Sequence, residues 1–318
     1  MDHLDPNSHD SPAAYGFTVD NHLLPALPQE TTPIAVPGPT EKISISTVFH
    51  PTLDAGTGPP DIKFIAADNV SFFAHIPHIL NRSVNQFNDL IPTSYNAQEG
   101  DAPFVVAVPE PSPVFNIILH IIYGWSSAAF THTLDDIAAT VIALKTYGMS
   151  TSACLAQHTP LYTLMLAHAS LRPLEIYALA AEHGLEHIAV VVSSQLVAYR
   201  LHEITDPLLV RMGARYLLRL AKLQATLMEK LRDLMLTPPE GHASTSTCGF
   251  AQQRILMGAW AIATASLSWK AKPDLSASVI QAAFNEAEGS LTCALCRDAL
   301  RTRIRLILYR WTLALRTI

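Results

Sequence analysis

Residues 61–87, DIKFIAADNVSFFAHIPHILNRSVNQF, constrain the fold more than any other stretch, because a period-two pattern passes into a helical one within a single short run. Ile62, Phe64 and Ala66 alternate with Lys63 and Ile65, the pair Asp68-Asn69 tolerates positive φ, and Val70, Phe72 and Ala74 then alternate with Ser71 and Phe73. This predicts a β-hairpin. Ile76, Ile79 and Leu80 take helical spacing, and Phe87 and Leu90 carry the apolar positions past Ser83 to Pro92, where a helix must stop. The hairpin is expected to hand over to a short helical hairpin.

At 318 residues, the expectation is two domains, and 49% hydrophobic residues with 15% charged ones supply apolar area for sizeable cores. There is no run of about eighteen uncharged apolar residues and no basic region followed by an apolar stretch at the N-terminus. A soluble intracellular protein, cytoplasmic or nuclear and with no membrane partner, is the expectation. Charge is unevenly placed. Residues 1–60 carry seven carboxylates against Lys42 alone, which accounts for the whole net charge of −6, so the remaining chain is formally neutral and offers no global case for nucleic-acid binding. The acidic stretch also holds Pro25, Pro28, Pro33, Pro37, Pro39, Pro51, Pro59 and Pro60 without sustained periodicity, so residues 1–58 read as a disordered, solvated tail.

Beyond residue 150 the pattern is helical. Leu161, Leu164 and Leu166 precede a break at Pro173, and apolar positions from Ile176 to Leu196 carry two short helices joined at Gly184. A helix starting near Asp206-Pro207 steps through Leu209, Met212, Tyr216, Leu220, Leu223, Leu227, Leu231 and Leu234 without interruption. On another face lie Arg211, Arg215, Arg219 and Lys222, which read as a solvated stripe. Pro238-Pro239 and the stretch from Gly241 to Cys248 mark a loop. The last helix, from about Cys296, sets Leu300, Ile304, Ile307, Leu308 and Trp311 on one face and Arg297, Arg301 and Arg305 on another.

The order of these residues resembles a BTB/POZ domain over residues 61–150. In that likeness Asp61 opens the first strand, His75 ends the second, and Leu80, Ser83 and Phe87 line the helix that follows. The run 103–108 is similar to the family's third strand. Phe115, Ile118, Ile122, Tyr123 and Gly124 are similar to its tyrosine-ended helix, and Leu134 to Met149 to its closing helix and turn. Residues 173–234, with Pro173, Tyr177, Ala180, Gly184, Leu185 and Ala189, resemble the helical extension of a large group of fungal BTB proteins. The resemblance implies an α+β fold: a small BTB-like domain at 59–150, a mainly helical extension at 151–237, and a C-terminal helical region at 238–318. It implies a non-catalytic scaffold with protein partners, among them a cullin ubiquitin ligase, or a role in transcriptional regulation. Strongly pairing members place an amphipathic helix ahead of the first strand. Glu41 to Pro60 is broken here by proline and glycine, so the usual pairing helix is not evident and a homodimer stays an open expectation.

Cysteine placement gives the one chemical lead. Cys293 and Cys296 form a Cys-x-x-Cys pair, which can chelate one ion from the first turn of a helix, and by residue type alone Cys248 and His242 complete a zinc set. Burial as small core side chains is the preferred reading, with no cofactor, and zinc is the alternative to it. Disulfides are disfavoured by an intracellular setting, and no βαβ unit surrounds the pair to suggest thioredoxin chemistry. The histidine pairs His75/His78 and His183/His187 lack a third ligand, and His183–His187 is no HExxH. No nucleophile elbow, phosphate loop or dinucleotide fingerprint occurs, so no enzymatic activity, catalytic residue or organic cofactor is expected. The alternative function is a zinc-stabilised regulator contacting nucleic acid through the Cys-x-x-Cys and the Arg-rich last helix.

Overall fold

The alternating run at residues 62–74 builds the sheet. In the computed structural model, which describes residues 44–92 and 102–318, β1 (Ser44–Ile45), β2 (Ile62–Ile65), β3 (Val70–Ala74) and β4 (Phe104–Ala107) form one sheet in the order β1-β3-β2-β4. β2 and β3 are the expected hairpin, with Phe64 opposite Phe72 and Asn69 at φ 61° in the turn. β4 lies parallel to β2 and β1 parallel to β3. One face of the sheet is covered by α2 (Ser112–Tyr123), whose Phe115 meets Phe64 at 5.0 Å and Phe72 at 5.4 Å between ring centroids. α3 (Leu134–Thr146) returns alongside α2, started by a capping box in which Thr133 and Asp136 satisfy each other's backbone amides.

The expected tail is too long. Among the described residues, Ser44 to Leu53 belong to the fold: β1 pairs with β3, and Phe49 is fully buried, stacked on Trp125 at 5.9 Å and edge-on to His120 at 5.1 Å. Proline content hid one aromatic anchor whose burial outweighs the polar surroundings. Residues 1–43 of the expected tail lie outside the described residues.

The expected helical hairpin after β3 is also corrected. α1 (Ile76–Leu80) is a single turn, and Leu80, expected to line a helix face, is 39% exposed at its end. Gln86, Phe87, Asn88 and Asp89 then all adopt φ between 55° and 61°, a left-handed turn. Such backbone costs about 1–2 kcal/mol per non-glycine residue, so something must hold it. Phe87 is completely buried and stacks on Tyr147 at 3.9 Å, while the Ser83 hydroxyl accepts from the Phe87 amide and donates to the Tyr147 carbonyl.

The helical part follows as α4 (Thr151–Cys154), α5 (Pro160–Ala169), α6 (Pro173–Glu182), α7 (Glu186–Ser193), two 3-10 turns, α8 (Asp206–Leu236), α9 (Phe250–Lys270), α10 (Ala277–Glu288) and α11 (Ala294–Thr312). Ser150 caps α4 and Thr237 caps the end of α8. The described residues belong to one compact unit. α8 is not the uninterrupted helix expected: Gly213, at φ 67° and ψ 163°, breaks it between Met212 and Tyr216, both buried, in a conformation other residues resist. Its N-cap is Thr205, one residue ahead of Asp206. The basic stripe on α8 is not merely solvated. Arg211 pairs with Glu182 at 2.9 Å and Arg219 with Glu186 at 2.5 Å, fastening α8 to α6 and α7.

Candidate metal centre

α8 ends at Leu236, and the chain must then turn back into α9 through the polar loop 237–249. Two groups organise this loop. The Arg303 guanidinium, on α11, donates to the carbonyls of Leu234 (3.0 Å) and Thr237 (2.9 Å), satisfying acceptors that the end of α8 leaves unpaired. The side chain of Gln253, on α9, donates to the His242 carbonyl at 2.7 Å. Thr245 and Cys248 close a small turn, their backbones paired and the Thr245 hydroxyl accepting from the Cys248 amide at 3.1 Å.

These contacts bring His242 and Cys248 over the N-terminus of α11, where Cys293 is the capping residue and Cys296 sits in the first turn. The four donor atoms all lie within 4.8 Å of one another. Cys248 Sγ is 3.8 Å from Cys296 Sγ, and His242 Nε2 is 3.5 Å from Cys293 Sγ and 3.4 Å from Cys296 Sγ. Around a tetrahedral zinc, bonds of about 2.3 Å to sulfur and 2.0–2.1 Å to nitrogen require edges of about 3.8 Å (S to S) and 3.6 Å (S to N). The three measured edges match to within about 0.2 Å. These four residues can hold a metal ion.

The surrounding groups orient the donors. His242 Nδ1 donates to the Ala243 carbonyl at 2.8 Å, which places the ring proton away from Cys293 and Cys296 and leaves Nε2 as the free lone pair. The Cys296 and Leu295 amides at the start of α11 point at the Cys293 sulfur. The Cys296 amide is the stronger influence, and together they draw that thiol down to about 7. Burial instead pushes Cys296 up to about 12 and raises Cys248, so these two become thiolates only against a compensating cation. Cys248 and Cys296 are each 1% exposed, whereas His242 and Cys293 are partly exposed, an arrangement open to entry from one side. With four protein donors no position is left for water or substrate, the arrangement of a structural centre rather than a catalytic one.

No family model, no curated protein and no solved structure matches this chain.

The remaining residues singled out by sequence are placed as follows. Asp61 lies immediately before β2, and its carboxylate accepts from the Ile76 amide at 2.7 Å, holding the start of α1. His75 is 1% exposed. Its Nε2 donates to the Gly58 carbonyl (3.0 Å) and its Nδ1 accepts from the Tyr123 hydroxyl (2.7 Å), which itself accepts from the His75 amide. Burial and the nearby Asp61 keep Tyr123 protonated, raising it to about 12. This is a structural knot joining the loop before β2, the end of β3 and α2. His183 and His187 do not converge: His183 faces Lys145 at 3.1 Å and His187 meets the Leu155 carbonyl at 2.6 Å. Cys154 is buried elsewhere, beyond α3, and takes no part in the cluster. Sequence reasoning missed Arg303, Gln253 and Thr245, which set the ligand loop. The Pro238-Pro239 stop just before it was the only signal that a constrained turn lay there. Among the described residues no helix is long and apolar enough to cross a membrane.

Proposed function

We propose that this chain is a non-catalytic protein-interaction scaffold of BTB type whose C-terminal region carries a structural zinc ion between the α8–α9 loop and the start of α11. The observation that carries the zinc reading is the set of donor edges at tetrahedral lengths, and the three-sulfur, one-nitrogen chemistry favours zinc over harder cations, which prefer oxygen. His242 and Cys248 hold the ion from the α8–α9 loop, and Cys293 and Cys296 hold it from the start of α11. The ion would tie the loop to that helix. What supports the scaffold reading is the order of elements: the β2–β3 hairpin, β4 beside β2, and the α2–α3 helical pair closing at Tyr147-Gly148, which is the order the BTB resemblance implies.

The nucleic-acid alternative is weaker on this geometry, because Arg301 is paired with Glu288 at 2.5 Å and Arg303 is spent on the end of α8. The test is affinity capture with the intact protein. Recovery of a cullin or another defined protein partner supports the scaffold. Recovery of nucleic acid, with binding that weakens steeply as salt rises, overturns it in favour of the alternative.

A further inference from the structure

α9 buries only one side. Leu256, Ala259, Trp260, Ala263 and Leu267 face the neighbouring helices, while the opposite side should be polar in a helix that is finished. It is not: Trp269 is 92% exposed, Phe250 80%, Ile262 74% and Ile255 49%, and no charged residue occurs between Arg254 and Lys270. Exposed apolar area of this extent marks an interface.

The spacing identifies the occupant. Ile255, Ile262 and Trp269 repeat every seven residues, and Ala251, Gly258 and Ala265, also exposed, repeat every seven residues between them. Two copies of α9 laid antiparallel about Trp260, the midpoint of the helix, set each of the three large residues of this stripe over a small one, while Phe250, off the stripe, falls beside Lys270 of the other copy. Ile262 of one copy falls on Gly258 of the other, Ile255 on Ala265, and Trp269 on Ala251. The face is thus complementary to itself under a two-fold axis, as an isologous contact requires, with knobs facing holes. Ala261, Ser266 and Ser268 flank the stripe and are small enough for close approach.

Gly258 adds an independent reason. It lies in regular helix, where glycine costs about 1 kcal/mol against alanine, and a Cβ built on it meets nothing within 4 Å, so one chain alone has no use for its bareness. α9 is about 31 Å long, and covering its apolar side in both copies removes roughly 1,200 Å² from solvent, the lower end of what specific protein pairs bury.

We infer that α9 is a homodimerisation helix, pairing antiparallel with α9 of a second copy through Ile255, Ile262 and Trp269 set over Ala265, Gly258 and Ala251. This does not depend on the zinc or BTB readings. The experiment is sedimentation velocity on the full zinc-loaded chain with two variants. Ile262→Lys puts charge at the centre of the contact. Gly258→Leu fills the hole while leaving the single chain unstrained, and its circular dichroism melt reports that the fold survives. A dimer at about 20 µM is expected, with self-association at least tenfold weaker in both variants and the Gly258→Leu melt no lower than that of the parent. A parent chain that stays monomeric at that concentration, or a dimer that neither variant weakens, overturns the inference.

Discussion

Phe49→Ala is the substitution that separates a folded residue 49 from a solvated one. The ring is 0% exposed and touches four aromatic neighbours: Phe72 (6.3 Å between centroids), Trp125 (5.9 Å), Tyr123 (5.6 Å) and His120 (5.1 Å). Truncation removes the transfer free energy of a buried phenyl ring and leaves a cavity whose walls come from β3, α2 and Trp125 just after it. They cannot collapse onto it without disturbing the His75–Tyr123 hydrogen bonds, so a cost of about 3–5 kcal/mol is expected. In a chain of this size that corresponds to a fall of roughly 6–12 °C in Tm. The assay is urea unfolding followed by tryptophan fluorescence, to which Trp125, stacked on the ring, reports directly. A loss below about 1 kcal/mol, the range of a surface substitution, would refute the assignment of Ser44 to Leu53 to the fold.

Further substitutions probe the rest of the account. Gly148→Ala is expected to cost more than Gly213→Ala, because both sit at φ near 66° but only at 148 does a Cβ collide, at 2.4 Å from Asn85 Oδ1 and 2.9 Å from the Asn85 amide nitrogen; equal Tm losses would contradict this. Trp311→Phe leaves the Leu275 carbonyl without its 2.7 Å partner in a buried setting, at about 1–3 kcal/mol in urea unfolding. Burial holds the His120 imidazole below its ordinary value, opposed by the hydrogen bond its Nδ1–H donates to the Asn116 carbonyl and helped by His132, which lowers it further. A histidine kept neutral by the fold contributes stability that is present above about pH 6.5 and lost as pH falls below it, so His120→Leu should flatten the stability–pH curve below about pH 6.5; an unchanged slope there would count against it.

The hairpin was legible because alternation and Asn69 are local signals, and the Cys/His cluster was legible because Cys293 and Cys296 lie three residues apart and His242 and Cys248 lie in the loop before α9. What sequence hid has a common physical cause. Phe49 lies among prolines, Gln86 and Phe87 have no local preference for the left-handed backbone that Asn88 and Asp89 tolerate, and Gly213 sits inside a sustained apolar period. Each conformation is imposed by distant contacts: the aromatic ring stack for Phe49 and the bonds of Ser83 with Tyr147 for the left-handed turn. The knot of His75 and Tyr123 joins residues 48 positions apart, beyond any spacing rule. The polarity of α8 read correctly as charge at helical spacing, yet its partners on α6 and α7 emerged only with the packing.

The most direct test of the account is the metal content of the intact chain. Mass spectrometry of purified protein, after dialysis into metal-free buffer at neutral pH, should find about one zinc per chain, reduced to background in Cys293→Ser/Cys296→Ser. Less than about half an equivalent in the parent, or retention of zinc by the double variant, would contradict a centre built from His242, Cys248, Cys293 and Cys296.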